Sequence, residues 1–176
     1  MSSECLTHEQ HNARKWGAVI RASRILVPVN GNSTDRDAVA LACEVARRGK
    51  SSVYAIYVIE VKRTLPLDVD LPPEAAKGDT VLANAEKAAD EFGIELETEI
   101  LQARDVGTAI VDEALEREVD LIVMGIGYKR KFGEFDIGHT APYVLKNAPC
   151  RVWLARAAPF VNAATTPARS AGERGR

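Results

Sequence analysis

Short runs of apolar residues alternate along the chain with longer segments in which apolar residues recur every three or four positions. The first two runs, Ile25–Val29 and Val53–Val61, are rich in β-branched residues, which favour strands. Because the second run is apolar at nearly every position, we expect helices to cover it on both sides. Glu95–Leu101 alternates in the manner of an edge strand, and two further runs, Leu121–Gly125 and Arg151–Leu154, complete a set of five strands.

The segments between these strands have helical periodicity. The first follows the polar stretch 30–33 and keeps its apolar stripe until Gly49. A second helix is expected to start at Pro73, a third to be capped by Asp105, and a fourth to carry the apolar face of 141–148. Strict alternation of strands and helices predicts an α/β fold, an open parallel sheet with helices on both faces.

The chain length of 176 residues suits one domain with two tails. Residues 1–22 and 157–176 show no strand or helix period, so we expect both to be disordered around a domain over 23–156. The tails have net charges of +1 and +2, whereas 23–156 holds 17 basic and 22 acidic residues, a net charge of −5. This acidic balance argues against a nucleic-acid partner, because affinity for phosphate backbones comes from clustered Lys and Arg.

Composition also bears on location and redox state. No apolar run approaches the length that crosses a bilayer, and the first residues lack the apolar centre of a signal peptide, so we expect a cytoplasmic protein without membrane insertion. The three cysteines, Cys5, Cys43 and Cys150, suit neither a disulfide framework nor a zinc site. We therefore expect reduced thiols and no metal.

The loop after the fourth strand is the strongest candidate for chemistry, because ligands of open parallel sheets bind beyond the carboxyl ends of the strands. It combines the glycines between Gly125 and Gly133 with the cations 129–131, and Gly138 and Thr140 then lead into a helix. Glycines let backbone amides approach a phosphate, and the helix start adds N–H groups and a positive dipole end. The pattern indicates an anion site. The alternative interpretation is a solvated loop with turn-forming glycines.

Four stretches resemble the universal stress protein family: ILVPVNGN at 25–32, IYVIEV at 56–61, VDLIVMGIG at 119–127 and GHTAPYVLKNAPCRVWLAR at 138–156. The resemblance implies a sheet of strand order 3-2-1-4-5. It also implies dimers that often pair through the last strand, here through Val152, Trp153 and Leu154. In one branch of the family, the loop after the fourth strand holds ATP with the pattern Gly, two residues, Gly, nine residues, Gly, then Ser or Thr.

The chain keeps this ATP pattern in part. Gly125 and Gly138 match the first and third glycines with the right spacing. Tyr128 stands in place of the second glycine, and His139 stands in place of the hydroxyl residue, with Thr140 one position later. A conventional ATP loop is therefore only half present, and Tyr128 is expected either to fill the phosphate space or to be compensated by a neighbouring glycine.

Two more positions complete the resemblance. Asn30 stands where ATP binders commonly have an aspartate at the end of the first strand, and Val58 occupies the position whose backbone faces adenine. The resemblance thus implies a nucleotide site, with ATP as the expected cofactor and magnesium only together with ATP. Its residues are Asn30, Val58, Met124, Gly125, Gly127, Gly138, His139 and Thr140.

Three hypotheses on function follow. The first is a stress-response module that binds ATP or another nucleotide. The second is a nucleotide-free, homodimeric interaction protein of the same fold with a regulatory protein partner, in which Tyr128 and His139 close the pocket. An enzyme has the least support, because no acid and base pair stands out, and slow ATP hydrolysis is the most that we expect.

Overall fold

The computed structural model describes residues 22–127, 129–131 and 134–156. Its strands are β1 (Arg24–Val29), β2 (Ser52–Glu60), β3 (Leu96–Ala103), β4 (Leu121–Ile126), β5 (Lys129–Lys131), β6 (Glu134–Asp136) and β7 (Arg151–Arg156). Its helices are α1 (Asp35–Gly49), α2 (Pro72–Asp90), α3 (Val106–Glu116) and α4 (Thr140–Asn147). The two predicted disordered tails lie outside the described residues, except for Ala22, which is buried.

The main sheet has five parallel strands in the order β3-β2-β1-β4-β7. This arrangement confirms the predicted α/β class and the strand order 3-2-1-4-5. Helices α1 and α2 cover one face, where Val39 and Leu82 pack into the larger core cluster. Helices α3 and α4 cover the other face, where Ile110 and Val144 pack into the second cluster. Residues of β1 alternate between the two clusters, so the central strand is buried on both sides.

Pro28 lies inside the central strand β1, one residue before its end. Ser52 of β2 donates its N–H to the carbonyl of Ser23, and alternation along β1 then turns the nitrogen of Pro28 toward β4. The β1 register with β4 extends over Ile25 and Leu26 only. The missing donor of proline therefore falls where β1 and β4 have stopped pairing, and the gap between the two strand ends is open.

The loop after β4 contains an element that the sequence analysis did not predict. β5 and β6 pair antiparallel, with Lys129 opposite Asp136 and Lys131 opposite Glu134. These strands are three residues long and mostly charged, so they lack the β-branched runs from which strands are predicted. The predicted glycine and basic loop is thus partly a two-stranded ribbon.

Two helix ends agree with the sequence predictions. Asp105 caps α3 as predicted, since its side chain accepts a hydrogen bond from the N–H of Thr108. α1 ends at Gly49, as predicted, and the next residue, Lys50, has a left-handed φ of 54°. Among the described residues, no helix has both the length and the apolar character needed to span a bilayer.

Candidate nucleotide-binding cleft

A cleft of about 470 Å³ opens at the carboxyl ends of β1, β2 and β4, beside the start of α4. All eight residues that the sequence analysis assigns to a nucleotide site line this one cleft, although they come from β1, β2, β4 and the segment leading into α4. They are Asn30, Val58, Met124, Gly125, Gly127, Gly138, His139 and Thr140. The cleft lies at the point where strand order reverses around β1, which is where open parallel sheets bind ligands. Tyr128 is outside the described residues.

The loop between β1 and α1 is held by the carboxylate of Asp35. Its Oδ2 accepts the backbone N–H groups of Asn30 at 2.9 Å, Gly31 at 2.7 Å and Asn32 at 3.2 Å. Burial raises the pKa of Asp35, and these three hydrogen bonds oppose the rise. The side-chain oxygen of Asn30 accepts the N–H of Asn32 at 3.1 Å. The wall of the cleft at Asn30 is therefore an ordered turn.

Gly125 has a packing role at the back of the cleft. A Cβ at this position would lie 2.7 Å from both the carbonyl oxygen and the hydroxyl oxygen of Thr34. Thr34 is fully buried, and Asn32 accepts both its N–H and its hydroxyl hydrogen. The start of α1 thus lies directly against β4, and only glycine leaves the room.

The start of α4 forms the opposite wall. Gly138 has a left-handed φ of +69°, which turns the chain into the helix at a conformation that favours glycine. His139 is the N-cap residue of α4, and its side chain makes no capping hydrogen bond. Thr140 is half-buried. The positive end of the α4 dipole therefore faces the cleft without a side-chain acceptor from its own cap.

Asp105 is an acidic group near this wall. Its pKa is lowered mainly by the backbone N–H of Thr108 and then by the Thr108 hydroxyl, with a smaller electrostatic contribution from His139. Because the carboxylate already accepts both groups of Thr108, it serves as the cap of α3.

Several lining residues have no signal in the local sequence. Lys77 reaches the cleft from α2, while Val106 and Ile110 reach it from α3. From sequence alone, Lys77 is interpreted as a solvent-exposed residue of α2, a helix on the opposite face of the sheet from α3 and α4. Only the packing of the helices on the sheet brings these side chains to one site.

The model of the universal stress protein family matches residues 22–156. A curated relative, universal stress protein MJ0531 of Methanocaldococcus jannaschii, is 33% identical over 135 residues, which are 73% of this chain and 79% of the relative. The chain belongs to the universal stress protein family.

Solved structures of this family share the fold. Universal stress protein UspA from Lactobacillus plantarum has a TM-score of 0.58 at 29% identity, covering 77% of this chain and 99% of that one. The universal stress protein from Archaeoglobus fulgidus in complex with dAMP has a TM-score of 0.61 at 22% identity, covering 74% of this chain and 95% of that one. The family identification made from the four sequence stretches is thus confirmed.

The last strand has the edge position that the family resemblance implies. β7 pairs with β4 on one side, and in the described part of the chain no strand pairs with its other side. Val152, Trp153 and Leu154 are all half-buried. At the opposite edge, β3 carries the exposed charges Glu97 and Glu99.

Proposed function

We propose that this universal stress protein binds an adenine nucleotide in the cleft between the ends of β1 and β4 and acts as a stress-response binding module. One observation carries the proposal: eight residues assigned to a nucleotide site from the sequence all line the same cleft. The dAMP complex of the similar Archaeoglobus fulgidus protein supports a nucleotide as the kind of ligand. We assign no catalytic residue.

The cleft has the parts that such a ligand needs. Apolar side chains such as Ile56, Val58 and Ile110 offer a surface for a base, while Gly138 and Thr140 lie at a helix start, which favours an anion. ATP and AMP are both candidate ligands, because a loop that keeps half of the ATP pattern does not determine the number of phosphates.

The test is a thermal shift of the full chain with ATP and with AMP, comparing Gly138→Trp with Gly93→Trp. Both glycines have a left-handed φ, +69° and +66°, and a Cβ at either meets no atom within 4 Å, so the two substitutions carry the same backbone strain. Only Gly138 lines the cleft. We expect nucleotide to raise the Tm of wild type and of Gly93→Trp but not of Gly138→Trp.

Absence of any shift with millimolar ATP or AMP would refute the proposal. Release of small molecules from the denatured protein gives an independent measurement, since a nucleotide that co-purifies is detected without added ligand.

A second candidate function is that of a nucleotide-free homodimer with a regulatory protein partner in the cytoplasm. The position of β7 at the edge of the sheet, in the part of the chain that the structure describes, favours it, because an apolar edge strand is a hazard unless another chain covers it. We expect light scattering to give a dimer, and Val152→Lys to give a monomer. Thr98→Lys on the opposite edge strand β3 is the matched control and should stay dimeric. A monomeric wild type would contradict pairing through β7.

A further inference from the structure

The part of the cleft lining whose side chains the structure describes carries charge of one sign. Outside residues 128–136, Lys77 is the single Lys or Arg in this lining, and none of the lining residues is Asp or Glu. The surrounding domain has a net charge of −5, so this lining differs from the average surface. The described lining therefore supplies positive charge to a ligand and no carboxylate to a cation.

Magnesium does not fit this set of donors. Proteins hold Mg²⁺ with carboxylate oxygens together with the phosphate oxygens of a substrate. The carboxylate of Asp35 accepts three backbone N–H groups, and that of Asp105 accepts the N–H and the hydroxyl of Thr108, so these two carboxylates are engaged elsewhere. Within the described ranges, no group of three His, Cys, Asp or Glu side chains could hold a metal ion. The donor set thus departs from the expected pairing of magnesium with ATP.

Lys77 is held beside the cleft by the packing of α2. A Cβ on the neighbouring Gly78 would come within 2.8 Å of Tyr57 and 2.9 Å of Ile100, so the helix lies close against β2 and β3 at this point. Among the residues whose side chains the structure describes, which leaves out 128–136, Lys77 forms no ion pair. Its ammonium group is therefore available to an anionic ligand.

We infer that the cleft takes its nucleotide as a monophosphate without a divalent cation, and that Lys77 supplies the counter-charge of the phosphate. This inference rests on the proposed function, since it names the form of the ligand for the same cleft. A phosphomonoester carries about two negative charges at neutral pH, which one lysine and one helix start can largely balance. A triphosphate carries more, and the described lining offers no ligands for the metal ion that would neutralise them.

Isothermal titration of the full chain with AMP and with ATP, in EDTA and in millimolar magnesium, tests the inference. The variant is Lys77→Gln, and the matched control is Lys87→Gln on the same helix, whose side chain lines a separate groove between α1 and α2. We expect the same Kd for AMP in both buffers. Lys77→Gln should weaken AMP about tenfold or more, the size of a lost charge-assisted hydrogen bond, with a smaller dependence on salt. Lys87→Gln should bind as wild type does.

A reciprocal variant adds the missing carboxylate. Asn30→Asp keeps an oxygen that accepts the N–H of Asn32, so the turn should persist. We expect it to bind AMP more weakly in EDTA and to regain affinity with magnesium.

Each other outcome overturns the inference. AMP binding that needs magnesium, magnesium ATP that binds more tightly than AMP, or equal effects of Lys77→Gln and Lys87→Gln would each do so. Binding of neither nucleotide in either buffer would instead refute the proposed function, and this result is distinct from the other three.

Discussion

Gly125→Ala is the smallest substitution that tests how β4 and α1 meet at the back of the cleft. The added Cβ would stand 2.7 Å from the carbonyl oxygen and from the hydroxyl oxygen of Thr34, and 2.9 Å from its carbonyl carbon. Ordinary van der Waals contact begins at 3.4 Å, so the shortfall is about 0.7 Å. Thr34 cannot turn away, because it is fully buried and hydrogen-bonded to Asn32.

The magnitude follows from which atoms must move. Two of the three nearest atoms are backbone, and the carbonyl of Thr34 accepts the N–H of Ala38 in the first turn of α1. The whole start of the helix must therefore shift. Overpacking of this kind costs about 1–3 kcal/mol of the free energy of unfolding. For a chain of this size, this corresponds to a fall in Tm of roughly 2–12 °C.

Thermal and urea unfolding, followed by circular dichroism, measure this loss. Gly127→Ala is the control, because a Cβ there meets no atom within 4 Å, and its effect should stay within about 1 kcal/mol in either direction. Adding Thr34→Ala to Gly125→Ala removes the hydroxyl and the γ-methyl group of Thr34 but leaves its carbonyl in place. The second substitution should therefore restore little stability, since the two backbone contacts remain. A Gly125→Ala variant as stable as Gly127→Ala would refute the argument.

Three further predictions concern the rest of the domain. Arg117→Met leaves the buried Glu113 without its ion-pair partner, and we expect the free energy of unfolding in urea to fall by about 1–3 kcal/mol. The double variant Arg117→Met with Glu113→Met should recover most of this loss. An unchanged urea midpoint for Arg117→Met would contradict the prediction. Burial raises the pKa of Cys43 to about 11, so peptide mapping after iodoacetamide treatment should find it unlabelled until the protein unfolds, and labelling in the native state would count against it. Asp105→Ala should cost about 1 kcal/mol at neutral pH through loss of the α3 cap. Folding lowers the pKa of Asp105, so its contribution to stability is present above the unfolded pKa and disappears as the pH falls through the folded value. The free energies of unfolding of wild type and Asp105→Ala, plotted against pH, should therefore converge below about pH 4. A difference that stays constant with pH would refute the linkage.

The elements of the main sheet were predictable because their signals are local. The largely apolar β2 and the alternating β3 differ in pattern as interior and edge strands do, and the structure places them in those positions. The pair β5 and β6 was not predicted because it has no local signal. Each strand has three residues, most of them charged, so neither shows a hydrophobic period, and the ribbon depends on pairing between the two strands.

The candidate site divides in a similar way. Its glycines, Asn30 and Val58 lie in stretches that resemble a family, so their common cleft was expected before the fold was known. Lys77 was not expected there, because nothing in its local sequence separates a side chain that lines a cleft from one on a solvated helix surface. Contact between α2, β2 and β3 decides that distinction.

By itself, the sequence determined the order of the helices and of the five strands of the main sheet, the class of the fold and the family, since hydrophobic period and short motifs depend on neighbours along the chain. The tertiary structure decided what each residue does at the cleft. Gly125 packs against Thr34, and the carboxylate of Asp35 binds the loop between β1 and α1. Outside residues 128–136, Lys77 is the one Lys, Arg, Asp or Glu that lines the cleft. The charge of the cleft lining and the close contacts behind it depend on elements that are far apart in sequence, so only the packing of those elements determines them.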